Sequence, residues 1–443
     1  MDAILERSHQ LKQALADFVL DAEGELAEAL EAYAAEQLRR KRGDSVQQDM
    51  LVDTFLTEGE VGDKTPLDLF LESEADLTPS DRQLLINWRR SFIGLFAVVQ
   101  VLSDGFELQN WLTTKNYIVK LNNPQTIQEM SRFKEGDILL TRIAPVTETC
   151  WVFSGPCTFM GKLGKPKLAV AIGNFKDNYK NSLYGDAPEL LEEAWRSVAE
   201  YHNQFVDFFG SDEVTMPGYQ LNKKVAEFQE QMMQQQMAVA GIDDSKSLAQ
   251  IAEEAGMDEE EIQAAAKEAG ADAQVVSQLF DKKSAAKMVM PKVELPAELK
   301  KAEQVTSLSH PRWGQMFLPT YSQFKTILEA QNWQSIEGAE KLIRYYLENP
   351  TINAFIWQRL AQQYPQQLEK VLQQVLNRPT FQIDSDLAPL LEEFNKVLAP
   401  ELPETASVPL HLHNLFEEAV AEVSKPKSKS KSNKKTGFGF QNP

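Results

Sequence analysis

The sequence predicts a mainly α-helical, multidomain chain with an inserted small antiparallel β barrel or sandwich, which is an α+β organisation. Apolar residues recur at helical spacing at both ends of the chain. A middle region instead carries short apolar runs separated by Gly- and Asp-containing turns. The chain has 443 residues, 43% of them hydrophobic, which is enough to build about two to four domains with cores of their own.

Residues 1–84 form the predicted N-terminal helical region, in which apolar side chains recur near helical spacing. A basic cluster at 39–42 precedes Gly43 and predicts a helix end, because cations there meet the negative end of the helix dipole. A phosphate- or RNA-contacting patch is the alternative for this cluster. Thr78 followed by Pro79 predicts the start of a further helix.

Residues 85–178 form the predicted small β module. Short runs rich in β-branched and aromatic residues alternate there with turns, which is the pattern of an antiparallel barrel or sandwich. Ser103-Asp104-Gly105 favours a hairpin after the first strand. The predicted strands lie at 92–102, 106–108, 117–121, 138–143, 151–155 and 168–172.

Residues 179–281 are predicted to return to helix. An aromatic stripe that begins at Trp195 has the spacing of a buried helix face. The sequence at 245–281 matches the packing pattern of a helix-turn-helix, with Gly256 at the turn. Its second helix opens with acidic residues at 258–261, which would repel phosphates. We therefore expect this insert to pack against the protein or bind protein, and not to bind DNA.

The C-terminal part is predicted to contain a Lys-rich linker at 282–308 and a helical bundle at 309–423. Prolines recur through the bundle and should divide it into helical hairpins. The segment at 310–321 is dense in aromatic residues, and we expect either a buried segment that leads into the bundle or a docking surface. The candidate partner-binding residues in this segment are Arg312, Trp313, Phe317 and Tyr321.

The last segment, 424–443, is predicted to be a disordered tail, because it combines like charges with low hydrophobicity. Basic residues suit RNA, a ribosome or another anionic surface, and the two phenylalanines near the end offer anchors for a partner. A tail that only increases solubility is the alternative. The candidate partner-binding residues in the tail are Lys434, Lys435, Phe438 and Phe440.

The net charge of −20 argues against non-specific nucleic-acid binding by the whole surface and suits a partner with a basic face. The N-terminal sequence lacks the basic start and apolar core of a signal peptide. No apolar run approaches the roughly 18 residues of a membrane-spanning helix. Two cysteines do not indicate a secreted disulfide framework. These features predict a cytoplasmic protein.

No catalytic signature is present, since nucleophile elbows, phosphate loops, dinucleotide fingerprints and metalloprotease motifs are all missing from the sequence. The nearest approach to a metal site is His411 with His413 and Glu417, of which the last two would share a helix face and suit zinc. A third strong ligand is missing, and partly buried histidines at a helix start are the alternative. Cys150 and Cys157 have no second cysteine pair beside them. We therefore predict no cofactor and no metal ligand.

The chain resembles conserved hypothetical proteins of cyanobacteria and plastids in three stretches. These are 310–321, the stretch from Glu401-Leu402-Pro403 to His411-Leu412-His413, and the Gly-Phe-Gly-Phe of the tail. The module at 91–172 also resembles small β domains of bacterial proteins that carry a Sec-C-type metal-binding tail. This chain has no such cysteine-rich tail, so that resemblance does not imply metal binding. Neither resemblance implies an activity or a functional residue.

Together these features predict a non-enzymatic interaction protein that acts as an adaptor, an assembly factor or a regulator of a larger complex. Protein partners are expected, and DNA is not. The first alternative is an RNA- or ribosome-associated factor that uses the basic tail and the 39–42 cluster. The second is a metal-dependent hydrolase centred on His411 and His413.

Overall fold

The computed structural model describes residues 2–40, 48–73, 76–122, 130, 132–239 and 288–424. Contacts divide the chain into an N-terminal unit, Met1–Ala187 with His411–Pro443, and a central unit, Pro188–Leu410. About 54% of the structure is helical and 18% is strand, so the predicted α+β class is confirmed. No helix within the described ranges is both long enough and apolar enough to cross a membrane.

Five helices of the described residues open the N-terminal unit, and their apolar faces pack into a common core. They are α1 (Asp2–Leu20), α2 (Glu25–Arg40), α3 (Gln48–Glu58), α4 (Pro66–Ser73) and α5 (Pro79–Asn87). The start of α5 is a capping box, in which the Thr78 hydroxyl accepts from the backbone N–H of Asp81 and the Asp81 carboxylate accepts from that of Thr78. The predicted helix start at Thr78 and Pro79 is therefore confirmed.

A five-stranded sheet follows, and its hydrogen-bonded pairs close on themselves in the order β1-β2-β3-β5-β4. The strands are β1 (Phe92–Leu102), β2 (Gly105–Asn110), β3 (Asn116–Lys120), β4 (Ile138–Pro145) and β5 (Cys150–Gly161). Because β4 pairs with β1, the second edge of β3 is left to β5, and these two strands run parallel. The sheet is thus mixed, and the prediction of purely antiparallel pairing is wrong.

Both faces of the first part of β1, from Phe92 to Val98, are covered, which explains its apolar sequence there. On one face, Phe92 and Phe96 belong to an aromatic core with Trp151 of β5. On the other face, Ile93 and Leu95 share a core with two helices. Those helices are α6 (Lys165–Asn178) and α14 (Leu410–Ser424).

The central unit combines helices with two small antiparallel sheets, one ordered β6-β8-β9 and one made of β7 and β10. Its first elements are α7 (Pro188–Phe209), β6 (Glu213–Met216), α8 (Gly218–Val239), β7 (Met288–Val289), β8 (Val305–His310) and β9 (Gly314–Leu318). They are followed by α9 (Tyr321–Glu329), α10 (Ala339–Glu348), α11 (Ala354–Gln363), α12 (Pro365–Val375), α13 (Ile383–Glu393) and β10 (Val408–Pro409). Pro350 separates α10 from α11, and Pro365 opens α12, as the predicted helical hairpins require.

One predicted strand is wrong, because residues 168–172 lie in α6. Leu168, Ile172 and Phe175 are buried at helical spacing against the sheet. A short apolar run does not distinguish a buried strand from a buried helix, so the pattern alone was ambiguous.

The predicted linker at 282–308 and the all-helical bundle after it also need correction. Residues 305–308 are buried within β8, and the chain continues through β9 before the first helix of the bundle. The partner strand β6 lies about a hundred residues earlier, and the two are brought together only by the fold. The helix-turn-helix-like insert at 245–281 and the tail residues Lys434, Lys435, Phe438 and Phe440 lie outside the described residues.

Candidate functional site

The β8–β9 hairpin contains three of the four predicted partner-binding residues of the 310–321 segment, and the fourth, Tyr321, opens the helix that follows. Arg312 is exposed, and its guanidinium lies over the ring of Trp195, 3.9 Å from the centroid. Trp313 and Phe317 are partly buried against apolar clusters of the central unit. Tyr321 is fully buried at the start of α9, so its prediction as a partner contact is wrong: its ring packs inside the bundle.

His310 closes the turn of this hairpin. Its Nδ1 accepts hydrogen bonds from the backbone N–H groups of Arg312, at 3.1 Å, and Trp313, at 3.2 Å. Burial lowers the pKa of His310, and the two hydrogen bonds accepted by Nδ1 favour the tautomer with its proton on Nε2. The ring also packs against Phe355, with centroids 4.5 Å apart. These contacts give His310 and most of the segment a structural role. Arg312, which lies over the half-buried Trp195 of α7, is the exposed residue of the segment.

His411 of α14 is engaged in structure. The Nε2 of His411 donates to the backbone carbonyl of Trp111 at 2.7 Å, and burial lowers the pKa of His411. Among the residues that the structure describes, no group of three or more His, Cys, Asp or Glu side chains is placed to hold a metal ion. Cys150 and Cys157 both lie on β5 and form no disulfide.

An open groove in the N-terminal unit runs between α1, α2 and α4 and has a volume of about 1360 Å³. We call it the acidic groove. Apolar side chains of all three helices and of the loops beside them form its floor. Those apolar residues are Leu11, Ala14, Phe18, Ala22, Leu26, Val61, Leu69, Phe70 and Leu77. The rings of Phe18 and Phe70 meet edge to face, with centroids 5.4 Å apart.

Carboxylates surround that floor. Among the described residues, seven acidic side chains line the groove, and all seven are exposed. They are Asp17, Asp21, Glu23, Glu25, Asp63, Glu72 and Asp76. Two cations among the described residues, Arg7 and Lys64, also line the groove. The lining therefore has a strongly negative balance around an apolar centre.

Both of these cations are already paired. Arg7 donates to the two carboxylate oxygens of Asp81 at 2.8 and 2.9 Å, and these hydrogen bonds hold the pKa of Asp81 well below its usual range. Lys64 donates to Glu72 at 2.7 Å, which raises the pKa of Lys64. Their charges are largely cancelled, so they do little to offset the remaining carboxylates of the groove.

The dipoles of α1 and α4 add to the negative potential, because both helices end at the groove. Asp17 lies in the last turn of α1 and Asp21 directly follows it, while Glu72 lies in the last turn of α4. Neither helix has a basic residue in its last turn. Carboxylates at the negative end of a helix cost about 0.3–1 kcal/mol each at low ionic strength, so their placement does not serve helix stability. A cation bound in the groove would relieve this repulsion.

The sequence interpretation missed the acidic groove, although one signal was present. A helix end normally favours Lys or Arg, and α1 ends in Asp17, Leu20 and Asp21. That departure marks the end of α1 as unusual. The apolar floor has no comparable signal, because Leu11 and Leu77 line the same groove only through packing of the helices.

Comparisons with protein-family models, with curated proteins and with solved structures find no match to this chain.

Proposed function

We propose that the protein is a non-enzymatic interaction protein, an adaptor or assembly factor, whose acidic groove binds a basic, amphipathic segment of a partner protein. One observation carries this proposal: among the described residues, the groove combines an apolar floor with seven exposed carboxylates, of which Glu72 is paired with Lys64, and with only two cations, both of them paired. Such a surface matches a helix with apolar anchors on one face and Lys or Arg beside them.

The size of the groove supports a peptide ligand over a small molecule. Small-molecule sites are usually enclosed pockets of about 300–1,000 Å³. The acidic groove is larger, at about 1360 Å³, and it is open to solvent. A segment of polypeptide can place several side chains in a space of this kind.

The charge of the groove supports a protein partner over a nucleic acid. Phosphates need Lys or Arg on the protein, and the carboxylates of the groove would repel them. The net charge of −20 acts in the same direction and would speed the approach of a basic partner. RNA binding through the tail remains a separate prediction, because the tail lies outside the described residues.

Fluorescence anisotropy of a labelled amphipathic peptide, with Lys on one helical face and Leu on the other, tests the proposal on the full chain. We expect saturable binding that weakens from about 0.1 M to about 1 M NaCl, as the screening length falls from about 10 Å to about 3 Å. A triple variant, Asp17→Asn with Asp21→Asn and Asp76→Asn, should lose about tenfold in affinity. Three exposed charge contacts of about 0.5 kcal/mol each together account for a loss of about this size.

The matched control removes three exposed carboxylates of the same unit that do not line the groove. It combines Glu135→Gln, Glu148→Gln and Asp177→Asn, so its change in net charge is identical. We expect less than about a twofold change in affinity, because these charges act only at long range. Equal losses in the two triple variants would mean that overall charge, and not the groove, attracts the peptide.

A further inference from the structure

We infer that the C-terminal segment of the chain itself, from Lys425 to Phe440, docks in the acidic groove and competes there with the partner. The inference rests on the proposed function, because it assigns a regulator to the same groove. The groove and the segment are matched in charge, in apolar anchors and in connectivity.

The tail and the acidic groove carry opposite charges. The segment from 425 to 443 contains lysines and no Asp or Glu. Its six lysines are Lys425, Lys427, Lys429, Lys431, Lys434 and Lys435. The described lining of the groove carries seven carboxylates, of which Glu72 pairs with Lys64. The chain thus carries a cationic segment that suits its own acidic surface.

The apolar match concerns the end of the segment. Phe438 and Phe440 follow the last pair of lysines and are separated by Gly439. The floor of the groove already contains aromatic rings, those of Phe18 and Phe70, in edge-to-face contact. Further aromatic side chains fit such a floor well, since each edge-to-face pair stabilises beyond the area that it buries.

The connection supplies the third argument. The segment continues from α14, which is held in the N-terminal unit by the buried Leu412 and Leu415 and by an ion pair of Lys165 with Glu418 at 2.8 Å. Extended, the chain from 425 to 440 spans roughly 55 Å. A compact unit of about 220 residues has a radius of gyration of roughly 17 Å, so the segment can reach the groove.

Tethering makes a weak contact effective. A segment tethered to its site within the same chain acts at an effective concentration on the order of 1 mM. If the untethered segment bound with a Kd on the order of 0.1 mM, it would lower the apparent affinity of a partner about tenfold. A partner would then have to displace the segment, which makes the groove selective for ligands that bind more tightly than the tail does.

The first test locates the segment in the intact chain. A zero-length carbodiimide reagent joins a Lys amine to a carboxylate in contact with it, and mass spectrometry identifies the joined residues. We expect Lys434 and Lys435 to be joined to groove carboxylates such as Asp17, Asp21 and Asp76, and the products to decrease at about 1 M NaCl. A mixture of ¹⁴N- and ¹⁵N-labelled chains shows whether the products are intramolecular. Products spread over carboxylates elsewhere, or formed between chains, would overturn the inference.

The second test measures competition with the labelled Lys/Leu peptide. A full-length variant with all six tail lysines changed to Gln should bind that peptide about tenfold more tightly than the unchanged chain. Equal binding by both chains, still lost in the Asp17, Asp21 and Asp76 triple variant, would overturn the inference and leave the proposed function standing. No binding to either chain would overturn both.

Discussion

The Nε of Arg142 donates to Asp53 at 2.9 Å, and both side chains lie inside the N-terminal unit. Arg142 has no exposed surface at all and also donates to Glu58, while Lys12 holds the second oxygen of Asp53 at 2.7 Å. Burial alone would lower the pKa of Arg142, but the two carboxylates outweigh it and raise the pKa above its ordinary value. This network ties α1 and α3, which carry Lys12 and Asp53, to the closed sheet.

Replacing Arg142 by Met should destabilise the protein by about 3–5 kcal/mol, because Asp53 would remain buried with part of its compensation removed. Urea unfolding followed by circular dichroism measures the change. The control is Arg89→Met, which removes an exposed ion pair with Asp68 at 2.7 Å and should cost no more than about 1 kcal/mol. Similar losses of stability in both variants would show that the buried network stabilises the protein no more than an exposed ion pair does.

Two glycine-to-alanine changes should have opposite signs. A Cβ at Gly155 would lie 2.4 Å from Oδ2 of Asp53, which cannot move away without breaking its bonds to Arg142 and Lys12. We expect a loss of about 1–3 kcal/mol. A Cβ at Gly173, inside α6, would contact nothing within 4 Å and should stabilise the helix by up to about 1 kcal/mol. Differential scanning calorimetry measures the stability of both variants. A stabilising effect of Gly155→Ala would contradict the close packing of Gly155 against Asp53.

Lys396 should make the free energy of unfolding increase with pH in the alkaline range. Its ammonium is buried in the central unit, where it donates to the backbone carbonyls of Tyr346 and Asn349, and burial lowers its pKa to about 8. Between that value and the unfolded value of about 10.4, the unfolded chain binds more protons than the folded chain, so stability rises with pH. Urea midpoints should increase from about pH 8 to about pH 9.5, below the titration of most tyrosines. In Lys396→Met the same increase should be smaller, and an unchanged slope would exclude Lys396 as its source.

Removal of the carboxylates at the end of α1 should raise the stability of the protein and weaken peptide binding. Asp17→Asn with Asp21→Asn removes two carboxylates from the negative end of the helix and should raise the free energy of unfolding by about 0.3–1 kcal/mol for each change. The same variant should bind the Lys/Leu peptide more weakly. Urea unfolding and anisotropy measure the two effects on one preparation. A variant that loses both stability and binding would indicate damage to the fold and not removal of a binding charge.

Local signals predicted much of the fold. Thr78 and Pro79 marked a helix start because the chemistry of a cap lies within four residues, and Asp104-Gly105 marked the turn between β1 and β2 for the same reason. The apolar run at 168–172 was misread because its length and composition suit a strand as well as a helix.

The sequence pattern does not predict contacts between distant parts of the chain. The pairing of β6 with β8 and the parallel pairing of β3 with β5 depend on which edges the fold leaves available. The sequence predicts Tyr321 as a contact residue because aromatic rings serve both cores and interfaces, and only its burial in the core of the bundle distinguishes the two roles. The acidic groove likewise exists only once α1, α2 and α4 are packed together.

Hydrogen–deuterium exchange of the full-length variant with all six tail lysines changed to Gln, with and without saturating Lys/Leu peptide, tests the central claim most directly, because in this variant the tail should not already occupy the groove. If the groove is the binding site, exchange should slow in the fragments that cover 14–26 and 61–72, which supply its floor and its carboxylates. The strands of the closed sheet and the central unit should be unaffected. Protection confined to the β8–β9 hairpin around Arg312, or no protection in either groove fragment, would contradict the account.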